Sequence, residues 1–140
     1  AQSEREMPDN PEDLKYSKEH EWVRIEEQED GRVEGVIGIT LFAQDSLGDV
    51  VLVDIPTVGD IVYQSEKMGE IESVKTVSDL FSPVSGSVIG NNDGVLEHPE
   101  WVNEEPYGRG WLIRVRLEDP SQLDKLLTSS EYDEFLASLP

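Results

Sequence analysis

From residue 21 to residue 117 the apolar residues come in short β-branched runs, each closed by glycine, proline, aspartate or asparagine. Runs that short cannot span a core as helices. They bury their apolar faces by pairing edge to edge and stacking as layers. Residues 21–27 (Glu-Trp-Val-Arg-Ile-Glu-Glu) alternate well enough for a strand, and Glu29-Asp30-Gly31 supplies the turn into a second run at 33–39. Thr40 is a predicted N-cap for a short helix through Leu41, Phe42, Ala43 and Leu47, stopped by Gly48. Residues 49–55 read as a buried strand ended by Pro56, and Val58-Gly59-Asp60 turns into an extended segment at 61–63. Two more strands are expected at 68–74 and 76–81, with Lys75 between them. Pro83 and Gly86 then mark a turn before Val88-Ile89. Residues 91–110 are turn-rich, and 111–117 alternate as a half-buried strand.

Only beyond residue 118 does the period change. Asp119-Pro120 has the form of an N-cap followed by an N1 proline, with Leu123, Leu126 and Leu127 on one helical face. Thr128-x-x-Glu131 offers a capping box for a last helix carrying Tyr132, Phe135, Leu136 and Leu139. The expected architecture is mainly β, a sandwich or barrel-like domain with short helices and a C-terminal helical segment. At 140 residues one domain is expected. It is assigned to residues 14–140, behind an acidic disordered tail at 1–13 that has neither a signal-peptide nor a transit-peptide pattern.

Composition removes whole classes of function. Eleven Lys and Arg against thirty-one Asp and Glu give a net charge of −20, which repels nucleic acid and anionic lipid and favours partners with basic faces. No apolar run approaches the roughly 18 residues of a membrane helix. The absence of cysteine excludes disulfides, thiolate nucleophiles and Cys-based zinc sites, and is compatible with a reducing compartment. Two histidines are too few for a His-rich metal centre. His20 is expected as a strand-edge residue bonded locally and His98 as incidental. Trp22, Trp101 and Trp111 are expected in the core or at its rim. No nucleophile elbow or phosphate loop is present, so no catalytic constellation emerges.

Lys75 stands apart. A turn lysine is ordinarily a solvated cation, yet the apex of a hairpin is also where a covalent swinging arm has to be attached. There the amine is open to a modifying enzyme and its backbone is held by two strands.

At this point the chain resembles the glycine cleavage H-protein family. The resemblance runs from about Leu14 to Leu136 and is carried by six segments in family order. They are Lys18-Glu-His-Glu-Trp-Val23, Ile37-Gly-Ile-Thr40 with Ala43-Gln44, and Leu47-Gly-Asp-Val-Val51, then Glu72-Ser-Val-Lys75, Ser78-Asp-Leu-Phe-Ser-Pro-Val-Ser-Gly86 and Pro106-Tyr-Gly-x-Gly-Trp-Leu112. The resemblance implies a lipoyl/biotinyl-type flattened β-barrel or sandwich, with lipoate in amide linkage on Lys75. Val74-Lys75-Thr76 after Glu72-Ser73 separates it from biotin carriers, which present Met-Lys-Met, and from dehydrogenase-complex lipoyl domains, which present Asp-Lys-Ala. Gly59 and Gly86, 16 residues before and 11 after Lys75, also fit lipoyl domains.

The function so implied is that of a non-catalytic shuttle. A pyridoxal-phosphate glycine decarboxylase loads an aminomethyl group, a tetrahydrofolate-dependent aminomethyltransferase takes it, and a flavin-dependent dihydrolipoyl dehydrogenase reoxidises the arm. A lipoate ligase or lipoyl transferase attaches the arm. The alternative is a lipoyl carrier relaying lipoate to other complexes. The resemblance further implies that Glu72 guides lipoylation and that Glu21 and Asp79 line a cleft for the arm or its cargo. A monomer is expected, in the cytoplasm of a bacterium or the mitochondrial matrix of a eukaryote. Two departures fall outside the lysine. Asn92-Asp93-Gly94 favours a turn where the family runs into a short helix, and Trp101 stands where smaller aliphatics are common.

Overall fold

A computed structural model describes residues 9–140. The strands are β1 (Lys15–Tyr16), β2 (Glu21–Glu27), β3 (Val33–Ile39), β4 (Val50–Asp54), β5 (Ile61–Val62), β6 (Lys67–Ser73), β7 (Val77–Phe81), β8 (Gly86–Asn91) and β9 (Ile113–Leu117). Four helices, α1 (Leu41–Leu47), α2 (Asp93–Glu97), α3 (Glu100–Glu104) and α4 (Ser129–Ala137), and a 3₁₀ turn (Pro120–Lys125) complete the described residues.

The strands form two antiparallel sheets, one of six strands in the order β1-β2-β3-β9-β8-β5 and one of three in the order β4-β6-β7. Their facing sides hold the main core, with Val23, Ile37, Val53, Ile71, Leu80, Val88, Ile113 and Val115 all buried. The result is the flattened, unclosed barrel-sandwich that the alternating runs call for.

A second apolar cluster covers the other face of the larger sheet, where Tyr16, Trp22 and Val36 meet Tyr132 of α4. Trp22 is fully buried and stands opposite Gly38 in the register. Only glycine fits there, because a Cβ on Gly38 would lie 2.6 Å from the indole ring. The indole N–H donates to Ile39 O (3.0 Å) and Pro106 O (3.1 Å), so the buried donor is satisfied. Tyr16 and Tyr132 stack with centroids 4.7 Å apart.

The caps follow the local sequence. Thr40 Oγ1 accepts the Ala43 N–H and Gly48 closes α1, while Thr128 and Glu131 form the reciprocal capping box of α4. Asp119 caps the turn after it through the Ser121 N–H, although that segment winds as 3₁₀ rather than as the expected α-helix.

Four expectations are corrected. Residues 91–110 contain α2 and α3 rather than turns alone. Buried Asn92 spends its amide N–H groups on Arg109 O and Trp111 O, leaving its carbonyl to accept the Gly94 N–H as a helix N-cap. Gly94 lets the Trp101 ring approach, since a Cβ there would sit 2.2 Å from it. The segment at 49–55 is shorter, as β4, and open to solvent on one face, with Val51 and Leu52 47% and 57% exposed. His20 lies in the turn before β2 with φ +73° and bonds far along the chain, as described below. Finally, residues 9–13 pack on the domain instead of extending as a tail. Asn10 is buried, Ser129 donates to its carbonyl, and the Tyr16 hydroxyl donates to Pro11 O (2.6 Å). Residues 1–8 of the expected tail lie outside the described residues.

Candidate functional site

The β6–β7 connection holds Lys75, and Ser73 makes it firm. The Ser73 N–H donates to Thr76 O (2.8 Å), and its hydroxyl oxygen accepts the N–H groups of Lys75 (3.3 Å) and Thr76 (3.2 Å). From outside the hairpin, Asp49 O accepts the Val74 N–H (3.0 Å). The turn is therefore fixed on both flanks while the Lys75 side chain stays exposed. Among the described residues it has no ion-pair partner. Its stem runs past the end of α1, where a Cβ on Gly48 would be 3.5 Å from Lys75 Cε. Gly48 has φ +81°, which ends the helix, and at that distance a Cβ there would meet the Lys75 stem in ordinary van der Waals contact.

Beside the turn a groove of about 280 Å³ runs along β7. Thr76 and Val77 begin one wall, Ser78 and Asp79 continue it, and Phe42 and Leu47 of α1 are among the residues opposite. Glu21 lies in the same groove. Its side chain is 1% exposed and joins the two sheets. One carboxylate oxygen accepts from the Ser17 hydroxyl (2.6 Å) and the other accepts the Phe81 N–H of β7 (3.1 Å). Burial dominates its electrostatics and pushes the pKa from 4.5 up to about 8, although both hydrogen bonds favour the anion. Asp79, half-exposed, is met by Lys67 at 3.2 Å, and the same ammonium reaches Glu70 at 2.7 Å.

Glu72 is placed differently. It lies on the solvent face of β6, between Leu52 and Val77 in the register, and does not line the groove. The groove's lining includes Glu21, Asp79 and Thr76 of the Lys75 turn. Glu72 lies outside it beside exposed Leu52 and Val77, although the register puts Asp79, opposite Glu70, on the same face of the smaller sheet as Glu72.

Several residues of the site were not singled out by their sequence context. Ser17 acts through a hydroxyl that no motif marks, and Ser73, although inside Glu72-Ser-Val-Lys75, is given no role of its own by that motif. His20 lines the groove, with Nδ1 2.7 Å from the Tyr132 hydroxyl, which is in turn 2.9 Å from Thr40 Oγ1. Burial lowers the His20 pKa, against a weaker upward pull from Glu19. Nothing in the sequence signals these contacts, and the left-handed turn at His20, unusual for a non-glycine residue, is visible only in the structure. His98 caps the end of α2 and stacks on Trp101 with centroids 4.9 Å apart, away from the groove. Among the described residues there is no cluster of His and acidic side chains able to hold a metal, and no helix long and apolar enough to cross a membrane.

Comparison with known proteins adds a lineage to this geometry. The model of the family described as Glycine cleavage H-protein matches residues 14–139. A glycine cleavage system H protein of Symbiobacterium thermophilum is 51% identical over 129 residues, covering 92% of this chain and 97% of its own. One from Staphylococcus carnosus is 50% identical over 126 residues, covering 90% of this chain and 96% of its own. The crystal structure of a glycine cleavage system H protein from Mycobacterium marinum superposes with a TM-score of 0.82 at 39% identity, over 91% of this chain and 98% of that one.

Proposed function

The chain belongs to the glycine cleavage H-protein family, and from that premise we propose that it is a lipoyl carrier, with lipoate in amide linkage on Lys75 Nζ. The observation that carries this reading is the Lys75 turn. Its backbone is fixed by Ser73 and Asp49, and its amine is exposed and unpaired among the described residues. A modifying enzyme needs an amine that it can enclose and deprotonate. An arm needs an attachment point that does not itself move, because a loose base spreads the reach of the arm over useless directions.

Lipoate, when bound, supplies a reversible disulfide and dithiol, chemistry for which this cysteine-free chain has no group of its own. The chain's own residues supply surroundings. Phe42, Leu47 and Val77 give the groove apolar walls beside the lysine, and these suit an alkyl arm. Asp79 stands at the groove's rim as a carboxylate shared with Lys67, and it is the acid there that an aminomethyl cargo's ammonium would meet. Opposite charges attract more strongly where solvent is reduced. Glu21 is engaged at both oxygens and largely protonated near neutral pH. It therefore acts as a polar wall that fixes β7 rather than as a second anion. Glu72, flanked by exposed Leu52 and Val77, belongs to the face that the lipoylating enzyme reads.

The partners of such a carrier are a pyridoxal-phosphate glycine decarboxylase, a tetrahydrofolate-dependent aminomethyltransferase and a dihydrolipoyl dehydrogenase, together with a lipoate ligase or lipoyl transferase. The carrier performs no bond-making step with its own side chains. The test is intact mass and peptide mapping after expression with lipoate and its ligase. One lipoyl amide is expected, on Lys75, moving the net charge from −20 to −21. Lys75→Arg is expected to carry none. An unmodified wild type, or lipoate on another lysine, overturns the reading.

A further inference from the structure

The Lys75 hairpin rests on the segment 48–50, and that segment is held from a distant part of the chain. Asn103 of α3 reaches across to it with every polar atom of its side chain in use. Nδ2 donates to Gly48 O (2.8 Å) and to Gln44 Oε1 (3.1 Å), and Oδ1 accepts the Val50 N–H (2.9 Å). These bonds straddle Asp49, whose carbonyl is the one that accepts the Val74 N–H next to Lys75. Gly48, the other end of the clamp, is also the residue past which the Lys75 stem runs.

We propose that Asn103 is a positioning residue for modification of Lys75: by clamping Gly48 and Val50 it aims Asp49 O at Val74 N–H and so holds the lysine turn in the form its modifying enzyme accepts. Asparagine suits this place because its amide donates and accepts in one plane. Aspartate keeps the acceptor but loses both donors and turns a negative oxygen toward Gly48 O. Alanine loses all three bonds. Ser73 closes the turn from within, so the Asp49 O bond to Val74 is its tie to the 48–50 segment, and without Asn103 both Gly48 O and the Val50 N–H on that segment lose a partner. Loss of the clamp is therefore expected to free the turn as a unit while both sheets stay folded.

The inference rests on Lys75 being the modified residue, and two readouts separate the two claims. Hydrogen exchange of the unlipoylated full chain needs no lipoate at all. With the clamp gone, the Val74 amide is expected to exchange at least about tenfold faster, close to the rate of an unprotected amide, while the core amides of Val23 and Val115 keep their rates. Steady-state lipoylation by a lipoate ligase with ATP is the second readout. If the turn is in its competent form only about a tenth of the time, KM for the protein rises about tenfold with kcat unchanged.

Asn103→Ala and Asn103→Asp are expected to behave alike. Gln44→Ala, which removes one bond of three, is expected to stay within about twofold of wild type. In the wild type itself, native-state exchange in increasing urea is expected to give Val50 and Val74 one common opening free energy. That last measurement serves even if the Asn103 variants do not fold. Wild-type exchange and KM in the Asn103 variants overturn the proposal. So does parallel acceleration of Val74, Val23 and Val115, or separate openings for Val50 and Val74. A wild type that takes no lipoate on Lys75 counts against the carrier reading instead.

Discussion

Glu21 makes a pH dependence that can be isolated by one substitution. In the folded chain its carboxyl is buried between the sheets with a pKa of about 8, against 4.5 as its ordinary value. Below 4.5 both folded and unfolded chains hold the proton, and the contribution to stability is complete. Between 4.5 and 8 the unfolded chain releases the proton while the folded chain keeps it, so stability falls as pH rises through that window. At about 1.4 kcal/mol for each pKa unit the full shift corresponds to at most about 5 kcal/mol, and relaxation of the site brings the expected loss to about 2–5 kcal/mol. Glu21→Gln is the control. Its amide oxygen can still accept the Phe81 N–H, its NH₂ can donate to Ser17 Oγ, and it does not titrate.

Urea unfolding of both proteins, followed by tryptophan fluorescence at about pH 5 and about pH 8.5 and constant ionic strength, gives the comparison. The net charge of −20 destabilises both at the higher pH, so the difference between the two declines is the quantity that matters. Wild type is expected to lose at least about 2 kcal/mol more than Glu21→Gln over that interval. Parallel declines refute the reasoning, since they mean that the carboxyl ionises in the folded chain as readily as in the unfolded one.

Tyr132→Phe removes the hydroxyl that joins His20 Nδ1 to Thr40 Oγ1 and leaves a buried threonine and a half-buried histidine without it. It is expected to cost about 1–3 kcal/mol in urea unfolding at neutral pH, and a loss below the error of extrapolation shows that water or a rotated Thr40 replaces it. Glu72→Ala is expected to slow initial lipoylation at sub-saturating protein without lowering the melting temperature. Equal initial rates remove Glu72 from recognition.

What could be read from the sequence was what neighbours decide. Thr40 and Gly48 bracket α1, and Thr128 with Glu131 starts α4, because each cap bonds within a few residues of itself. The hairpin around Lys75 was legible for the same reason, with its closing bonds all between residues 73 and 76. What was missed depends on partners far along the chain. Asn92 starts a helix instead of a turn because its amide is taken by the carbonyls of Arg109 and Trp111. His20 is set by a tyrosine 112 residues away. Glu21 was legible as a groove residue through family resemblance, but its burial against Phe81 was not, because a carboxylate in an acidic chain reads as surface. β4 alternates too little to reveal that one of its faces meets solvent, and only the three-stranded sheet's lack of a further layer makes Leu52 exposed.

The two sheets differ in how much of the chain each needs. β4, β6 and β7 all come from residues 50–81, whereas the larger sheet is continuous only once β9, at residues 113–117, inserts between β3 and β8. Loop closure costs less for the nearer pairings, so in a growing chain the lysine hairpin is the part that can assemble first. Asn103 and the Glu21 contact then act at different times. Glu21 is already synthesised when Phe81 appears, but Asn103 of α3 lies about twenty residues beyond the end of the hairpin. A ribosome-bound or truncated chain ending before Asn103 therefore displays the lysine turn without its clamp. On the proposed reading, full competence for modification comes with the last third of the protein, and the order of synthesis itself favours finished chains over unfinished ones for the cofactor.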